Sequence, residues 1–335
     1  MASTVSWGVL STANIGMQKV VPAMLRGQVV RVDAIASRDA AKARAAAKQL
    51  GIAKAYGSYE ELLADPEIEA IYNPLPNHLH VAWTIKALEA GKHVLCEKPI
   101  GMNAEEAKAL IAARDKSGKI VAEAFMVRHH PQWQRARSHV QAGRIGQVRA
   151  VHTAFCYYND DENNVRNQAD IGGGGLLDIG CYAVTTARYI FGGEPERAIG
   201  LIDRDPKFGT DRLTSGIVAF SGGRRLTFTC STQLAPHQRV QILGTEGRIE
   251  VEIPFNAPPD SACRIFIDDG RDLRGGGIST ESFPVCDQYT LQGDAISRAI
   301  LGEEPLEFAI EDGIANMKVL DALFRSDASG SWEKP

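Results

Sequence analysis

The sequence predicts an α/β chain of two domains, a parallel-sheet domain over residues 1–124 and an α+β domain with a large, mostly antiparallel open sheet over 125–335. Three observations carry this. Short apolar runs at 5–10, 30–36, 68–73, 93–96 and 120–124 alternate with stretches of helical periodicity, the rhythm of a sheet covered on both faces. From residue 147 onward the period drops to two, with turn residues between the runs. One helical pattern interrupts that second half, and four consecutive glycines, Gly172 to Gly175, lead into it.

At 335 residues there is chain enough for two sizeable cores. The 44% hydrophobic and 23% charged content is that of an ordinary globular protein. The net charge of -4 comes with no basic stripe, so nucleic acid is not an expected partner. No apolar run nears the roughly 20 residues of a spanning helix, and no cationic segment with an apolar core opens the chain. The expected location is the cytoplasm, away from membranes. Six cysteines, at 96, 156, 181, 230, 263 and 286, lie far apart with no CxxC pair. That argues against a zinc or redox motif, and no metal site is expected. Cys181 is read as packing.

Residues 5–10 read as the first strand and 15–25 as a helix. Between them, Ser11-Thr12-Ala13-Asn14-Ile15-Gly16 stands where a Rossmann domain carries its GxGxxG fingerprint. Only Gly16 survives, but Ser11 and Ala13 are small enough for a pyrophosphate to approach the backbone at the helix start. A tight turn without a ligand would read the same way. The second strand, 30–36, ends in Ser37-Arg38, where an NAD site usually has an acidic residue. A hydroxyl and a guanidinium, with Lys42 one turn on, offer what a 2′-phosphate wants. NADP is therefore the expected cofactor, against the plainer reading of Arg38 and Lys42 as a solvated helix start. Helices at 39–50 and 58–64, a strand hint at 54–56 and a strand at 68–73 follow. Asn73-Pro74-Leu75-Pro76-Asn77-His78 is a proline-stiffened loop at that strand's carboxyl end, where open sheets bind ligands, and it joins the cofactor-binding set. A helix at 79–90 and a strand at 93–96 lead into Glu97-Lys98-Pro99; helix 104–116 and strand 120–124 close the domain.

In the glycine-led helix, Leu176, Ile179, Ala183, Ala187 and Ile190 form one apolar stripe. Asp178, Tyr182, Thr185 and Tyr189 follow the same spacing on another face, setting a carboxylate one turn before a phenol. Alone, this stretch reads equally well as a buried helix whose polar face meets solvent. The wider pattern is more specific: Glu97-Lys98-Pro99 after a strand, then Gly-Gly-Gly-x-Leu-x-Asp-x-Gly-x-Tyr about 75 residues later. In this the chain resembles, over nearly its whole length, the NAD(P)-dependent oxidoreductases typified by glucose–fructose oxidoreductase, inositol dehydrogenase and dihydrodiol dehydrogenase, the Gfo/Idh/MocA family. Tyr182, where many members have His, resembles the glucose–fructose oxidoreductase and dihydrodiol dehydrogenase branch. The resemblance implies a cis Lys98–Pro99 bond, and Lys98 and Tyr182 as catalytic groups, with Asp178 binding or orienting the substrate hydroxyl. It also implies Glu97 as structural or on the nicotinamide side, and dimers formed on the open sheet. Asn163-Asn164-Val165-Arg166 is similar to the substrate loop of aldose-handling members such as xylose dehydrogenases. The chemistry agrees: oxidising a carbinol requires removal of its hydroxyl proton and stabilisation of the developing carbonyl oxygen. A phenol near pKa 10 needs a neighbouring cation for this, and Lys98 is the expected one.

Residues 125–131 bridge the domains, with Arg128 facing the substrate and His129 and His130 lining the connection. A helix at 132–142 precedes strands at 147–157, 198–203, 213–220, 224–232, 238–243, 247–253 and 263–268, with hairpin turns at Gly222-Gly223 and at 244–247. Residues 254–260 and 271–279 read as surface loops, and helices at 287–301 and 309–325 end the chain. The polar stretch 159–167 favours a polyhydroxy substrate over an aromatic diol, and residue by residue it reads equally well as an ordinary solvated loop; with the motif residues, the expected substrate-binding set is Arg128, Asn164, Arg166, Asp178 and Tyr182. The expected activity is NADP-dependent oxidation of an aldose at C1 to an aldonolactone, with coupled reduction of a second sugar by retained NADPH as a variant. The alternatives are a trans-dihydrodiol dehydrogenase or anhydro-sugar reductase, and a non-enzymatic sugar-responsive regulator that need not keep Lys98, Asp178 and Tyr182. The expected partners are a small-molecule sugar and a second copy of the chain, joined through the C-terminal sheet.

Overall fold

The computed structural model describes residues 3–335. Strands β1 (Val5–Leu10), β2 (Val30–Ala36), β3 (Lys54–Tyr56), β4 (Ala70–Asn73), β5 (His93–Cys96) and β6 (Val121–Glu123) alternate with helices α1 (Val21–Met24), α2 (Ala40–Leu50), α3 (Tyr59–Ala64), α4 (His80–Glu89), α5 (Ala104–Ala107) and α6 (Ala109–Ser117). Next come α7 (Pro131–Gln141), β7 (Val148–Tyr158) and α8 (Cys181–Phe191). The strands β8 (Pro195–Arg204), β9 (Asp211–Phe220), β10 (Arg225–Ser231), β11 (Gln233–Gly244), β12 (Arg248–Val251), β13 (Cys263–Asp268) and β14 (Ile278–Phe283) follow, and α9 (Gln288–Leu301) and α10 (Ile310–Ser329) end the chain. They form two compact units. The first joins residues through Met126 to Asp287–Ile314, and the second joins Val127–Cys286 to Ala315–Pro335.

In the first unit six strands form a parallel sheet in the order β3-β2-β1-β4-β5-β6. Every residue of β1 is buried, as befits a central strand covered on both faces. Trp7, Val9, Met24, Val32, Tyr72 and Leu95 belong to the core on this sheet. The segment 287–301, which the sequence groups with the second domain, packs here instead. Ile296 joins that core, and the Trp7 indole N–H donates to Ser297 Oγ at 3.0 Å. Asp294 Oδ1 accepts the backbone N–H groups of Gln28 and Val29 at 2.7 and 3.0 Å. Gly27 makes room for it, since a Cβ there would stand 2.8 Å from that oxygen. Helical periodicity says that a helix buries a face but not which sheet it covers, so the single boundary at 124/125 gives way to a first unit built from two segments.

The second unit holds an eight-stranded sheet in the order β14-β13-β12-β11-β7-β10-β9-β8, antiparallel except for the β7–β10 pair. Strand β14 starts within the stretch read as a loop at 271–279. Its residues are exposed or half-buried, so no buried alternation marks it. Helix α8 is buried at every residue, polar positions included, rather than turning a polar side to water. Gly180 lets it approach the sheet, because a Cβ there would lie 3.1 Å from Cys230 Sγ on β10. Side chains alternate along a strand, so Thr227 and Thr229 face away from α8. With Ile217, Leu201, Ile199 and His152 they line a hollow of about 930 Å³ on that other face. Among the described residues no helix is long and apolar enough to cross a membrane.

Candidate active site

All strands of the first sheet run parallel, so the segments that follow β1, β2, β4 and β5 leave the same edge. After β1 the chain turns at Ser11, whose φ of +75° is in the left-handed region that glycine favours. The Ser11 hydroxyl closes the turn by accepting the Ala13 N–H at 3.2 Å. Thr12 and Ala13 are half-buried, Asn14 is exposed, and Ile15 packs partly against the core. At Gly16 a Cβ would meet Tyr72 and Pro74 at an ordinary 3.6 Å.

After β2, Ser37 is buried and its hydroxyl accepts the Asp39 N–H at 3.2 Å, which leaves the hydroxyl proton to donate. Asp39 caps α2 by accepting the N–H groups of Ala41 and Lys42. Arg38 and Lys42 are exposed, and the Arg38 guanidinium bonds the Tyr59 hydroxyl. A donor hydroxyl beside two exposed cations fits an adenosine 2′-phosphate.

Asn73, fully buried, spends its amide on the loop: Nδ2 donates to His80 O and Thr84 Oγ1, both at 3.2 Å, and Oδ1 accepts the Leu75 N–H at 3.3 Å. It shapes the 73–78 loop. Pro74 and Leu75 are buried and Pro76, Asn77 and His78 half-buried. The buried Nδ1 of His78 has no hydrogen-bond partner in the structure, as expected of an atom that a bound group completes. His80 is fully buried, with its ring nitrogens 2.7 Å from Pro99 O and 2.6 Å from Leu75 O. Burial pulls its imidazole down to about 4, against the opposite pull of the two carbonyls, and the ring sits between this loop and the Lys98–Pro99 step. That step is cis, as the resemblance implies. Glu97 Oε1 accepts the buried Tyr72 hydroxyl at 2.7 Å, which holds the carboxylate beside Lys98.

In the second unit the carboxylate of Asp178 is the focus. It lies on a π-helical turn, Leu176–Gly180, that runs into α8. Its Oδ2 accepts the Tyr157 hydroxyl at 2.6 Å and the Arg166 Nε–H at 2.8 Å. Burial and then the Asp178 charge push the Tyr157 phenol up, so it stays protonated and a donor. Asp178 chiefly holds the Arg166 guanidinium protonated, and the Tyr182 phenol adds to this field. Arg166 is therefore a cation within electrostatic reach of Tyr182, a role the sequence assigns to Lys98 alone. Tyr182 is 5% exposed, its ring 5.8 Å from that of Phe155 and 5.4 Å from that of Phe255.

The glycine run explains itself sterically. Gly173 and Gly174 donate their N–H groups to Gln168 O and Arg166 O at 2.9 and 2.8 Å. A Cβ on Gly173 would lie 2.6 Å from Arg166 O. At Gly174, φ is +116° and a Cβ would lie 1.9 Å from Asp211 Oδ1. The glycines thus let the Arg166 turn and the start of β9 close on the helix that carries Asp178.

Two of the expected substrate contacts also do structural work. Asn164 Oδ1 accepts the Arg166 N–H at 3.1 Å, so it caps the turn that presents Arg166. Arg128 is 4% exposed and donates to Thr185 Oγ1, which anchors the 126–129 turn to α8. Two residues that sequence reasoning misses, Tyr157 and Asp211, reach the motif from strands 21 and 35 residues from their partners. A strand-end tyrosine after an apolar run was the one signal for the first. Cys181 is fully buried, as a packing residue should be.

The family model "Oxidoreductase family, NAD-binding Rossmann fold" matches residues 5–125, and "GFO/IDH/MocA C-terminal domain" matches 133–250. An uncharacterized oxidoreductase of Rhizobium meliloti is 49% identical over 329 residues, 98% of each chain. The D-xylose 1-dehydrogenase (NADP(+)) 2 of Haloferax volcanii is 36% identical over 327 residues, 97% of this chain and 98% of its own. Among solved structures, an aldose-aldose oxidoreductase from Caulobacter crescentus, complexed with glycerol, superposes with a TM-score of 0.90 at 25% identity, over 99% of this chain and 100% of that one.

Proposed function

Because the chain belongs to the GFO/IDH/MocA oxidoreductase family, with its NAD-binding Rossmann fold, we propose that it is an NADP-dependent dehydrogenase that oxidises an aldose at C1 to the aldonolactone. The observation that carries this reading is Asp178, a carboxylate whose Oδ2 takes both the Tyr157 phenol and the Arg166 guanidinium, four residues before the phenol of Tyr182. Neighbouring hydroxyls need acceptors and donors grouped in this way, whereas an aromatic diol needs a more apolar surface. The xylose dehydrogenase likeness supports the same substrate class.

When bound, the dinucleotide supplies the hydride acceptor. Ser37, Arg38 and Lys42 would hold its 2′-phosphate, the 11–15 turn its pyrophosphate, and the 73–78 loop with Glu97 the nicotinamide side. Tyr182 takes the C1 hydroxyl proton, with the Arg166 cation favouring its anionic form. Lys98 stabilises the negative charge that develops on the C1 oxygen. Asp178 accepts a hydrogen bond from an adjacent sugar hydroxyl and so fixes which carbon reacts.

The test is turnover of a panel of aldoses with NADP and NAD, read as lactone formed. Activity on at least one aldose with NADP is expected; none on any aldose sinks the reading. Arg38→Ser is expected to lower kcat/KM for NADP by about tenfold or more, since a charged hydrogen bond to phosphate is lost, while that for NAD stays level. The aldose-aldose likeness favours one variant, in which the nucleotide stays bound and a second sugar is reduced. Incubation with an aldose and no added nucleotide would then give lactone and alditol together. For the exposed sheet face we propose a second copy as partner. Leu201, 75% exposed, and Ile217, 39% exposed, stand on it, and sedimentation is expected to show a dimer of the 36.3 kDa chain.

A further inference from the structure

The geometry points to Asp211, the first residue of β9, as the positioning residue that sets the Arg166–Asp178 pair. This rests on the reading of Asp178 as the carboxylate that binds the sugar. Asp211 is 4% exposed and belongs to no motif in the sequence. Its Oδ2 accepts the backbone N–H of Leu176, at the head of the turn that carries Asp178, and the Thr214 hydroxyl at 3.3 Å. Its Oδ1 fills the space that a Cβ on Gly174 would need.

Gly174 passes this constraint in two directions. Its N–H donates to the carbonyl of Arg166 at 2.8 Å, and its own carbonyl accepts the N–H of Asp178 at 3.1 Å. Both members of the ion pair therefore hang from one residue, and the Asp211 carboxylate holds that residue in place. A side chain that touches only the backbone of the motif can in this way decide the distance between a guanidinium and a carboxylate.

Burial pushes the Asp211 carboxyl up to about 6, against the pull of the Leu176 N–H, Thr214 and Arg204. The titratable groups that face it are Arg204, its register partner on β8, Tyr157 on β7 and Cys230 on β10. A folded-state value above the ordinary 3.8 means that ionisation in place is the costly state. The stability this group contributes is full below about pH 4 and is lost as the pH rises through about 6. Asp211→Asn is therefore not expected to destabilise the fold at pH 7, and fold and function separate.

The experiment compares Asp211→Ala and Asp211→Asn in the full-length enzyme, with Asp178→Asn as the control for the underlying reading. Asp211→Ala leaves the buried Leu176 N–H without its acceptor and is expected to raise the sugar KM about tenfold, with the NADP KM unchanged. Asp211→Asn keeps an acceptor, so it is expected to restore most of that loss at pH 7. An unchanged sugar KM in Asp211→Ala, while Asp178→Asn abolishes turnover, overturns the proposal and leaves the reading of Asp178 standing. Full turnover in Asp178→Asn instead removes that reading and this proposal with it. Should Asp211→Ala fail to fold, Asp211→Ser, whose hydroxyl is too short to reach the Leu176 N–H, is measured in its place, and an unchanged sugar KM in it overturns the proposal.

Discussion

Lys98→Met is expected to lower kcat by about 10²- to 10⁴-fold, the range for losing a group that moves a proton or stabilises charge in the transition state. Methionine keeps the length and apolar stem of lysine and removes only the ammonium. The surroundings should survive the change, because they are held by other groups: Glu97 by Tyr72, and the Lys98–Pro99 step by the buried His80 ring packed between it and the 73–78 loop. Nucleotide affinity should stay level, because the groups proposed for the 2′-phosphate, Ser37, Arg38 and Lys42, follow a different strand. The check is kcat at saturating aldose and NADP beside nucleotide affinity from fluorescence titration. Unchanged turnover would mean that the ammonium takes no part in the chemistry and would sink the role assigned to Lys98.

Gly174→Ala should be far more damaging than the same change at Gly192, the glycine at the other end of the helix. Gly192, which ends α8 at φ +64°, serves as its internal control. Alanine at 192 meets nothing within 4 Å and carries only the left-handed backbone penalty, about 1–2 kcal/mol. Alanine at 174 carries backbone strain at φ +116° and in addition overlaps Asp211 Oδ1 at 1.9 Å. Relief requires Asp211 to leave Leu176, or Gly174 to leave Arg166. The added loss, about 2 kcal/mol or more, should appear as a lower urea midpoint for Gly174→Ala than for Gly192→Ala, with turnover lost even where the chain still folds. Equal midpoints would mean that the glycine run is not the steric junction described.

What the sequence makes legible here is local. The alternation of strand and helix, the Ser37-Arg38 strand end, Glu97-Lys98-Pro99 and the Asp178-to-Tyr182 spacing are all contiguous patterns, and the structure builds its parallel sheet and its buried helix from them. What stays hidden depends on contacts across the chain. Tyr157 and Asp211 look like ordinary strand residues until the sheet brings them to the glycine run. Asn164 and Arg128 have the right chemistry for a sugar, and only the structure shows that each also serves the fold, one by capping a turn and the other through the Thr185 hydroxyl. Helix α9 shows an apolar stripe in sequence, while the choice of sheet rests on Trp7, Ser297, Asp294 and the space beside Gly27. Strand β14 buries too little to betray itself.

The central claim is that hydride leaves C1 of an aldose while Lys98 and Tyr182 manage the charge and the proton. The most direct measurement uses an aldose deuterated at C1 with NADP, run on the wild-type enzyme and on Lys98→Met, with mass analysis of the reduced nucleotide. The account predicts one deuterium in each reduced nucleotide formed by the wild-type enzyme, matched by lactone, and almost no reduced nucleotide from the variant. Reduced nucleotide without the label, or labelled nucleotide formed equally fast by both proteins, would contradict it.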